Sequence, residues 1–176
     1  PMLASVTLAA ASLAQSGGLY LPENGGPLNG TAQAGSAALA RNAETSFANP
    51  AGMTRLERPE AMLTIMPFSV DVRFAPSSET TASGTDGGQQ GGWLLAGSLY
   101  AAVPVHDRIA LGLSVTSPGG VVIDPNDDWV GRVWTTESEL LMLNFEPSIG
   151  IRLTDEWSIG AGVDVQYVTF EQNLRT

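Results

Sequence analysis

Hydrophobic and polar residues alternate strictly near the C-terminal end of the chain. In residues 157–167, from Trp157 to Tyr167, every odd-numbered residue is apolar or aromatic, and every even-numbered residue is small or polar. A period of two is typical of a β-strand with one apolar face. About ten residues, tilted by about 40°, span the apolar band of an outer membrane, which is about 25 Å tall. The pattern therefore predicts a strand that faces lipid.

The same alternation recurs earlier in the chain. It is clear at residues 141–153 and 109–116 and weaker at residues 93–105 and 68–74. The predicted connections alternate in length as well, with short turns at residues 105–108 and 154–156 and long segments at residues 75–92 and 117–136. Short turns on one side and long loops on the other are typical of outer-membrane barrels.

Alternation alone does not exclude a soluble β-sandwich, which also has one apolar face per sheet. The polar face here keeps charged and amide side chains in mid-strand, as a water-filled lumen permits: Glu146, Arg152, Asp164 and Gln166. We therefore predict an all-β fold, a transmembrane antiparallel β-barrel. Residues 61–176 supply about five strands, whereas a bacterial barrel needs at least about eight. We expect the chain to be the N-terminal part of a longer barrel.

The N-terminal third of the chain has a different character. Residues 2–14 are small and apolar and precede a polar stretch, which is typical of a secretory signal peptide. A short buried helix is the alternative. We assign residues 1–14 to a residual signal peptide and expect export to the outer membrane. Residues 15–60 are rich in Gly, Ala, Asn and Pro, with a predicted helix at residues 31–41 and a turn at 47–53, and we expect them to pack inside a larger structure.

Charge and composition exclude several classes of function. The net charge is −10, and the eight basic residues, all arginine, are not clustered, which argues against nucleic-acid binding. Cysteine is absent. Residues 124–128 space their acidic and amide side chains like a calcium loop, but Trp129 stands where that loop needs glycine. His106 lies beside Asp107 in a predicted turn, without a serine in a nucleophile-elbow setting, so we predict no enzyme, no metal site and no cofactor.

Six ordered motifs resemble the FadL/TodX family of outer-membrane transporters. They are GLYLPE at residues 18–23, NPAGM at 49–53, DWVGR at 128–132, TESEL at 136–140, LNFEPS at 143–148 and WSIGAG at 157–162. The resemblance implies a barrel of about fourteen strands in the whole protein. Residues 15–60 would form a hatch segment in its lumen.

The family resemblance also implies a function and its residues. Hydrophobic compounds, such as long-chain fatty acids or hydrocarbons, would bind in the lumen and leave sideways into the outer-membrane lipid without an energy source. We expect a monomer. The hatch motif would use Phe47, Asn49, Pro50 and Ala51. We place a lateral gate at Pro118, Gly119 and Gly120, just after the third strand, where an ordinary turn is the alternative.

A fatty carboxylate in an apolar pocket needs a basic partner. Arg132 and Arg152 are the candidates, together with Arg73, although each can instead pair with a lumenal carboxylate such as Glu146 or Asp164. An uncharged hydrocarbon substrate stays open. Two other functions also remain open at this point: a structural or adhesive outer-membrane barrel, and a secreted β-sandwich that binds ligands.

Overall fold

The computed structural model describes residues 26–134 and 136–173. The predicted signal peptide and the motif at residues 18–23 lie outside this part of the chain. The described chain begins with short helical turns: 3-10 helices at Asn29–Thr31 and Pro50–Arg55, α1 at Ser36–Leu39 and α2 at Thr45–Ala48. No helix in the described part of the chain has the length and apolar character needed to cross a membrane.

The helix predicted at residues 31–41 is mostly wrong, since α1 covers only one turn of it. Left-handed backbone conformations interrupt the segment at Ala32, Gln33, Gly35 and Ala40. A left-handed residue cannot continue an α-helix, and its cost is small only for glycine. The segment is therefore a series of separate turns.

Six strands form one antiparallel sheet, in which the first five follow the order of the chain and the sixth pairs with the fourth. They are β1 (Glu60–Ser69), β2 (Trp93–His106), β3 (Ile109–Ile123), β4 (Glu137–Arg152), β5 (Ser158–Gly162) and β6 (Val165–Asn173). The long connections fall between β1 and β2 and between β3 and β4, and the short turns fall between the other neighbours, as predicted. The strands at residues 93–105, 109–116 and 141–153 are confirmed.

The strand predicted at residues 157–167 is divided into β5 and β6, which both pair with β4 in a single register. Ser148 pairs with Gly162 and Phe145 with Val165, so the interruption lies opposite Pro147. The Val163 N–H still donates to the Pro147 carbonyl at 3.1 Å, but a proline has no N–H to return. Pro147 thus explains why the ladder breaks without a change of register.

The two faces of the sheet have inverted polarity. Large apolar side chains on the outer face are exposed, among them Leu63, Leu95, Leu143 and Ile149. The inner face buries mainly small and polar side chains: Ser98, Tyr100, Ala102, Ser114, Thr116, Asn144, Glu146 and Ser148. A soluble β-sandwich buries its apolar face and exposes its polar one. This sheet does the reverse, as a wall between lipid and a wet lumen would.

The first strand lies earlier in the chain than the alternation at residues 68–74 indicated. β1 covers Glu60–Ser69, and Phe68 belongs to its inner, half-buried face. Residues 70–74 attach to the segment before β2 through a bridge between Arg73 and Gln89 and through hydrogen bonds, among them Val70 N–H to the Gly92 carbonyl at 3.0 Å and Gln90 N–H to the Val72 carbonyl at 2.8 Å. They form the first part of a long loop.

Candidate functional site

The hatch segment lies directly on glycines of the inner face. A Cβ built on Gly150 would collide with the Pro50 carbonyl oxygen, and one built on Gly160 would lie 2.6 Å from the Pro50 carbonyl carbon. A Cβ on Gly112 would lie 2.6 Å from the Met53 sulfur. Because these positions have no side chain, the second 3-10 helix packs against the backbone of β3, β4 and β5.

Hydroxyl groups join α2 to the same wall. The hydroxyls of Ser46 and Ser114 lie 2.8 Å apart, and Ser148 Oγ donates to the Ser46 carbonyl at 2.8 Å. All three residues are buried. Nearer the short turns, Thr54 Oγ1 lies 2.9 Å from the hydroxyl of Ser158 in β5. Polar contacts therefore hold the hatch segment to the wall at α2 and at the second 3-10 helix.

The four residues of the predicted hatch motif have different surroundings. The Phe47 ring lies 6.2 Å from the Tyr100 ring of β2, in a tilted geometry. Asn49 braces the hatch segment internally, since its Nδ2 donates to the Ala37 carbonyl at 2.7 Å. Pro50 and Ala51 lie against Gly150 and Gly160. The motif thus supplies one aromatic contact with the wall, one internal brace and the surface that meets the glycines.

The wall has a gap between β2 and β3. Their pairing begins at His106 and Ile109 and ends at Ser98 and Thr116. Beyond that pair, residues 93–97 still pair with β1, and residues 119–123 still pair with β4, but the structure pairs neither stretch with the other. A hydrogen bond from Asp124 N to the Gln90 carbonyl, at 2.7 Å, joins the two sides again. We call the opening between residues 93–97 and 117–121 the window.

A proline lies at the start of the window. The register of β3 with β4 shifts by one residue between Thr116 and Gly119, and Pro118 is buried within this bulge. Ser117 Oγ donates to the Met142 carbonyl at 3.2 Å across the irregular stretch. A bulge bends its strand and increases its twist, which turns the end of β3 away from β2.

The placement of Pro118, Gly119 and Gly120 after the third strand is wrong, because all three lie inside β3. The predicted loss of pairing occurs, but on the side of β2. Pairing with β4 resumes at Gly119, opposite Met142. The segment is thus neither an ordinary turn nor a loop, and its role as a lateral gate stays a prediction.

An apolar cavity of about 180 Å³ occupies the window. Its lining comes from both faces of the sheet, since Leu94 and Ala96 are half-buried on the inner face whereas Leu95 is 70% exposed on the outer face. The remaining lining residues are Phe68, Val70, Ser117, Gly119, Gly120 and Leu141. Apolar residues of the inner and the outer face therefore meet at the window.

Two of the arginines predicted to meet a carboxylate, Arg132 and Arg152, bind backbone carbonyls in this structure. Arg132 Nη1 donates to Ser83 at 2.7 Å and to Trp129 at 3.0 Å, which ties the two long loops together. Arg152 donates to the Thr54 carbonyl of the hatch segment. Neither residue lines the window cavity. A role for either in binding a fatty carboxylate stays a prediction.

A buried carboxyl group in the hatch segment was not singled out by the sequence. Glu44 is 4% exposed, and its Oε2 has no hydrogen-bond partner among the residues that the structure describes. Burial raises the pKa of the Glu44 carboxyl above its ordinary value. The residue lines a cavity of about 250 Å³ within the hatch segment, together with Leu28, Leu39, Arg41 and Thr45.

The residues considered for catalysis and metal binding make hydrogen bonds within the turns and loops. His106 Nδ1 accepts a hydrogen bond from the Arg108 N–H, 3.3 Å away, in the turn between β2 and β3. Asp128 accepts from the Thr85 hydroxyl at 2.9 Å between the long loops. In residues 26–134 and 136–173, no group of three or more acidic or histidine side chains is placed to hold a metal ion.

Comparison with known proteins places these features in a family context. The family model described as "Outer membrane protein transport protein (OMPP1/FadL/TodX)" matches residues 7–174. The long-chain fatty acid transport protein of Escherichia coli O6:H1 is 27% identical over 154 residues, which are 88% of this chain and 34% of that protein. Outer membrane protein P1 of Haemophilus influenzae is 27% identical over 182 residues, 94% of this chain and 39% of that protein.

A solved structure has the same arrangement of strands. The crystal structure of a Pseudomonas aeruginosa FadL homologue matches with a TM-score of 0.75 and 25% identity, over 88% of this chain and 38% of that one. The chain thus spans about a third of the length of the curated relatives it matches, 34% in the case of the Escherichia coli protein.

Proposed function

Because this chain belongs to the OMPP1/FadL/TodX family of outer-membrane transport proteins, we propose that its sheet and hatch segment form part of a passive transporter for hydrophobic compounds. Long-chain fatty acids are the leading substrates, since relatives at 27% identity are named for their transport. The family description names a transport protein and not an enzyme. The whole protein would be a monomeric barrel in the outer membrane.

The observation that carries the proposal is the apolar window. A wall that only separates lipid from water needs continuous pairing, because unpaired backbone groups are costly where no water reaches them. Here the pairing of β2 with β3 stops after Ser98 and Thr116, and apolar side chains line the gap. The gap offers a hydrophobic molecule a path from the lumen through the barrel wall into the lipid.

The hatch segment complements the window. It contacts β3, β4 and β5 on the inner face, and in the whole barrel it would obstruct the lumen on the side of the short turns. A compound that enters from the long-loop side would meet this obstruction and leave sideways. Transfer of its apolar surface from water to lipid supplies the driving force, at about 25 cal/mol per Å². No cofactor or energy source is required.

Two other functions are less well supported. A structural or adhesive barrel has no use for a gap in its wall. A secreted β-sandwich would need its exposed apolar side chains, such as Leu63 and Trp93, on the inside.

An uptake experiment tests the proposed function. A strain that lacks the gene would be complemented with the full-length protein, and uptake of labelled oleate would be compared with that of the strain carrying an empty vector. We expect the protein to restore uptake severalfold while its barrel stays folded, as shown by heat-modifiable migration on a gel. Assembly in the outer membrane without any gain in uptake of oleate or of an alkane would contradict the proposal and favour an adhesive role.

A further inference from the structure

A row of polar side chains crosses the inner face of the sheet beside the window. Register places Thr64 opposite Ser98, Ser98 opposite Thr116, and Thr116 opposite Asn144. The row continues to Gln166 of β6. Directly paired residues of an antiparallel sheet point to the same face, with Cβ atoms about 4.5–5.5 Å apart. We call these five residues the polar row.

Two members of the polar row are buried without hydrogen-bond partners. Ser98 is 3% exposed and Thr116 is 1% exposed, and neither hydroxyl has a partner in the structure. A buried hydroxyl without a partner destabilises the fold. Alanine and valine would avoid this cost, so such groups call for a functional explanation.

Other polar residues close to Ser98 and Thr116 on the inner face do have hydrogen-bond partners. Ser114, two residues before Thr116 on the same face, bonds to Ser46 of the hatch segment at 2.8 Å. Asn144, in the polar row itself, donates to Asp164 at 2.6 Å. The hydroxyls of Ser98 and Thr116 lie beyond this contact with the hatch segment, on the side of the window.

Residues close to the unpartnered pair along both strands line the apolar cavity, although Ser98 and Thr116 themselves do not. Ala96 and Leu94 are the next inward positions after Ser98 on β2, and both line the window. On β3, Gly119 and Gly120 follow Thr116 closely and line the opposite side. A molecule with its apolar tail in the window can therefore extend its head towards Ser98 and Thr116. That arrangement fits a chain with one polar end.

We propose that the hydroxyls of Ser98 and Thr116 bind the polar head of a single-chain amphipathic substrate while its tail lies in the window. The inference rests on the proposed transport function and deepens it by assigning the residues that select the head group. Hydroxyls both donate and accept hydrogen bonds, so they complement a carboxylic acid or an alcohol. A plain alkane leaves both hydroxyls unsatisfied and gains nothing from them.

The charges nearby favour an uncharged head. Glu146 lies in the next row of the inner face, opposite Ser114, and Asn144 donates to Asp164 at 2.6 Å. The carboxylate of Asp164, which Asn144 of the polar row already binds, repels an anion bound beside it. A long-chain alcohol and the protonated form of a fatty acid therefore fit the pair better than a fatty carboxylate does.

The test compares three substrates of equal chain length in cells that carry the full-length protein. Uptake of palmitic acid, hexadecanol and hexadecane would be measured for the wild type, for Ser98→Ala/Thr116→Val and for the control Ser69→Ala. Ser69 is an exposed residue on the outer face of β1. We expect the double variant to lower acid and alcohol uptake about five- to tenfold, as loss of about one hydrogen bond implies, and to leave hexadecane uptake within about twofold.

Three results separate the possible failures. Equal losses for all three substrates, or no loss for any, would overturn the head-group assignment. Absence of uptake of every substrate by the assembled wild type would instead contradict the proposed function. If alcohol uptake falls but acid uptake does not, the site binds an alcohol and the acid assignment is wrong.

Two further variants guard against a folding defect. Thr116→Ser keeps the hydroxyl and must keep the preference for polar heads, whereas Ser98→Ala alone must lower it. The double variant should also withstand heating at least as well as the wild type, because it removes two unpartnered buried hydroxyls. A lower unfolding temperature would show that the hydroxyls stabilise the fold, which would contradict the inference.

Discussion

The hydroxyl of Ser46 in α2 lies 2.8 Å from the hydroxyl of Ser114 in β3, and both residues are buried. The pair joins the hatch segment to the wall one row of residues away from the window. The contact joins two side chains that are 68 positions apart in the chain and does not belong to the backbone pairing of the sheet. Its loss should therefore loosen the hatch segment without unfolding the sheet.

Replacement of Ser46 with alanine should speed hydrogen exchange in the hatch segment. The variant leaves the Ser114 hydroxyl buried without its partner, which costs about 1–3 kcal/mol. We expect amides of residues 45–55 in the full-length protein to exchange about tenfold faster. The variant Ser46→Ala/Ser114→Ala should cost less than the sum of the single changes, because it removes both ends of the bond. Ser36→Ala in α1 serves as the control, and equal exchange in all variants would refute the contact.

The glycine contacts give a second prediction about the hatch segment. Gly150→Ala places a methyl group on the Pro50 carbonyl oxygen, and overpacking of this kind costs about 1–3 kcal/mol. The hatch segment should move away from β4 and admit hydrophilic compounds that the intact barrel excludes. Susceptibility of cells to vancomycin measures this leak. Gly30→Ala is the matched control, since nothing lies within 4 Å of its added Cβ, and equal susceptibility of both variants would contradict the prediction.

The sequence located the wall better than it located the site. Alternation predicts β2 and β4 because a lipid-facing strand has a strict period of two. Alternation cannot show with which neighbouring strand a bulged strand stops pairing. Pro118 and Gly119 are visible as breakers of pairing, but only the register shows that pairing with β4 survives and pairing with β2 does not. Strand register depends on all the neighbouring strands, so the residues next to Pro118 do not determine it.

Buried hydroxyls and arginines illustrate the same limit. Ser98 and Thr116 look like ordinary polar positions on the lumenal face, and their lack of partners depends on what the fold places around them. Arg132 ends the DWVGR motif, and its charge made it a candidate to bind a carboxylate. Its guanidinium binds carbonyls of Ser83 and Trp129 in loops that the sequence gives no reason to bring together.

The pKa of Glu44 predicts a pH dependence of the hatch segment. Burial raises this pKa in the folded state, so the folded hatch segment holds the proton more tightly than the unfolded chain does. The resulting stability is fully present below the ordinary carboxyl pKa of about 4.3 and is lost as the pH rises through the raised value. Arg41 lines the same cavity and is exposed. We expect hydrogen exchange in α2 to quicken from about pH 4 towards neutral pH.

Glu44→Gln isolates this effect. The amide has nearly the same shape and carries no charge, so the variant should lose the pH dependence and protect α2 at neutral pH at least as well as the wild type does at low pH. Exchange would be corrected for its intrinsic dependence on pH with an unstructured peptide. Glu57→Gln, an exposed carboxyl after the second 3-10 helix, is the control. The same corrected slope in wild type and Glu44→Gln would assign the pH dependence to another group.

Filling the window gives the most direct test of the lateral gate. Neither Gly119 nor Gly120 has a positive φ in the described structure, so the backbone conformation at these two positions does not by itself require glycine. A Cβ at Gly120 would lie 3.9 Å from Leu94 Cδ2, across the window, and 3.2 Å from the Leu140 carbonyl oxygen. The change Gly119→Val/Gly120→Val therefore narrows the opening and increases the β-propensity of β3.

We expect this variant to assemble normally and to take up labelled oleate about tenfold more slowly, because the apolar passage is blocked while the hatch contacts remain. The control is Ala101→Val, which adds bulk to the outer face of β2 where Ala101 pairs with Leu113 in the intact ladder. Unchanged uptake by an assembled window variant would show that substrates leave by another route. A similar loss of uptake in the control would trace the defect to the bulk added on the sheet rather than to the window.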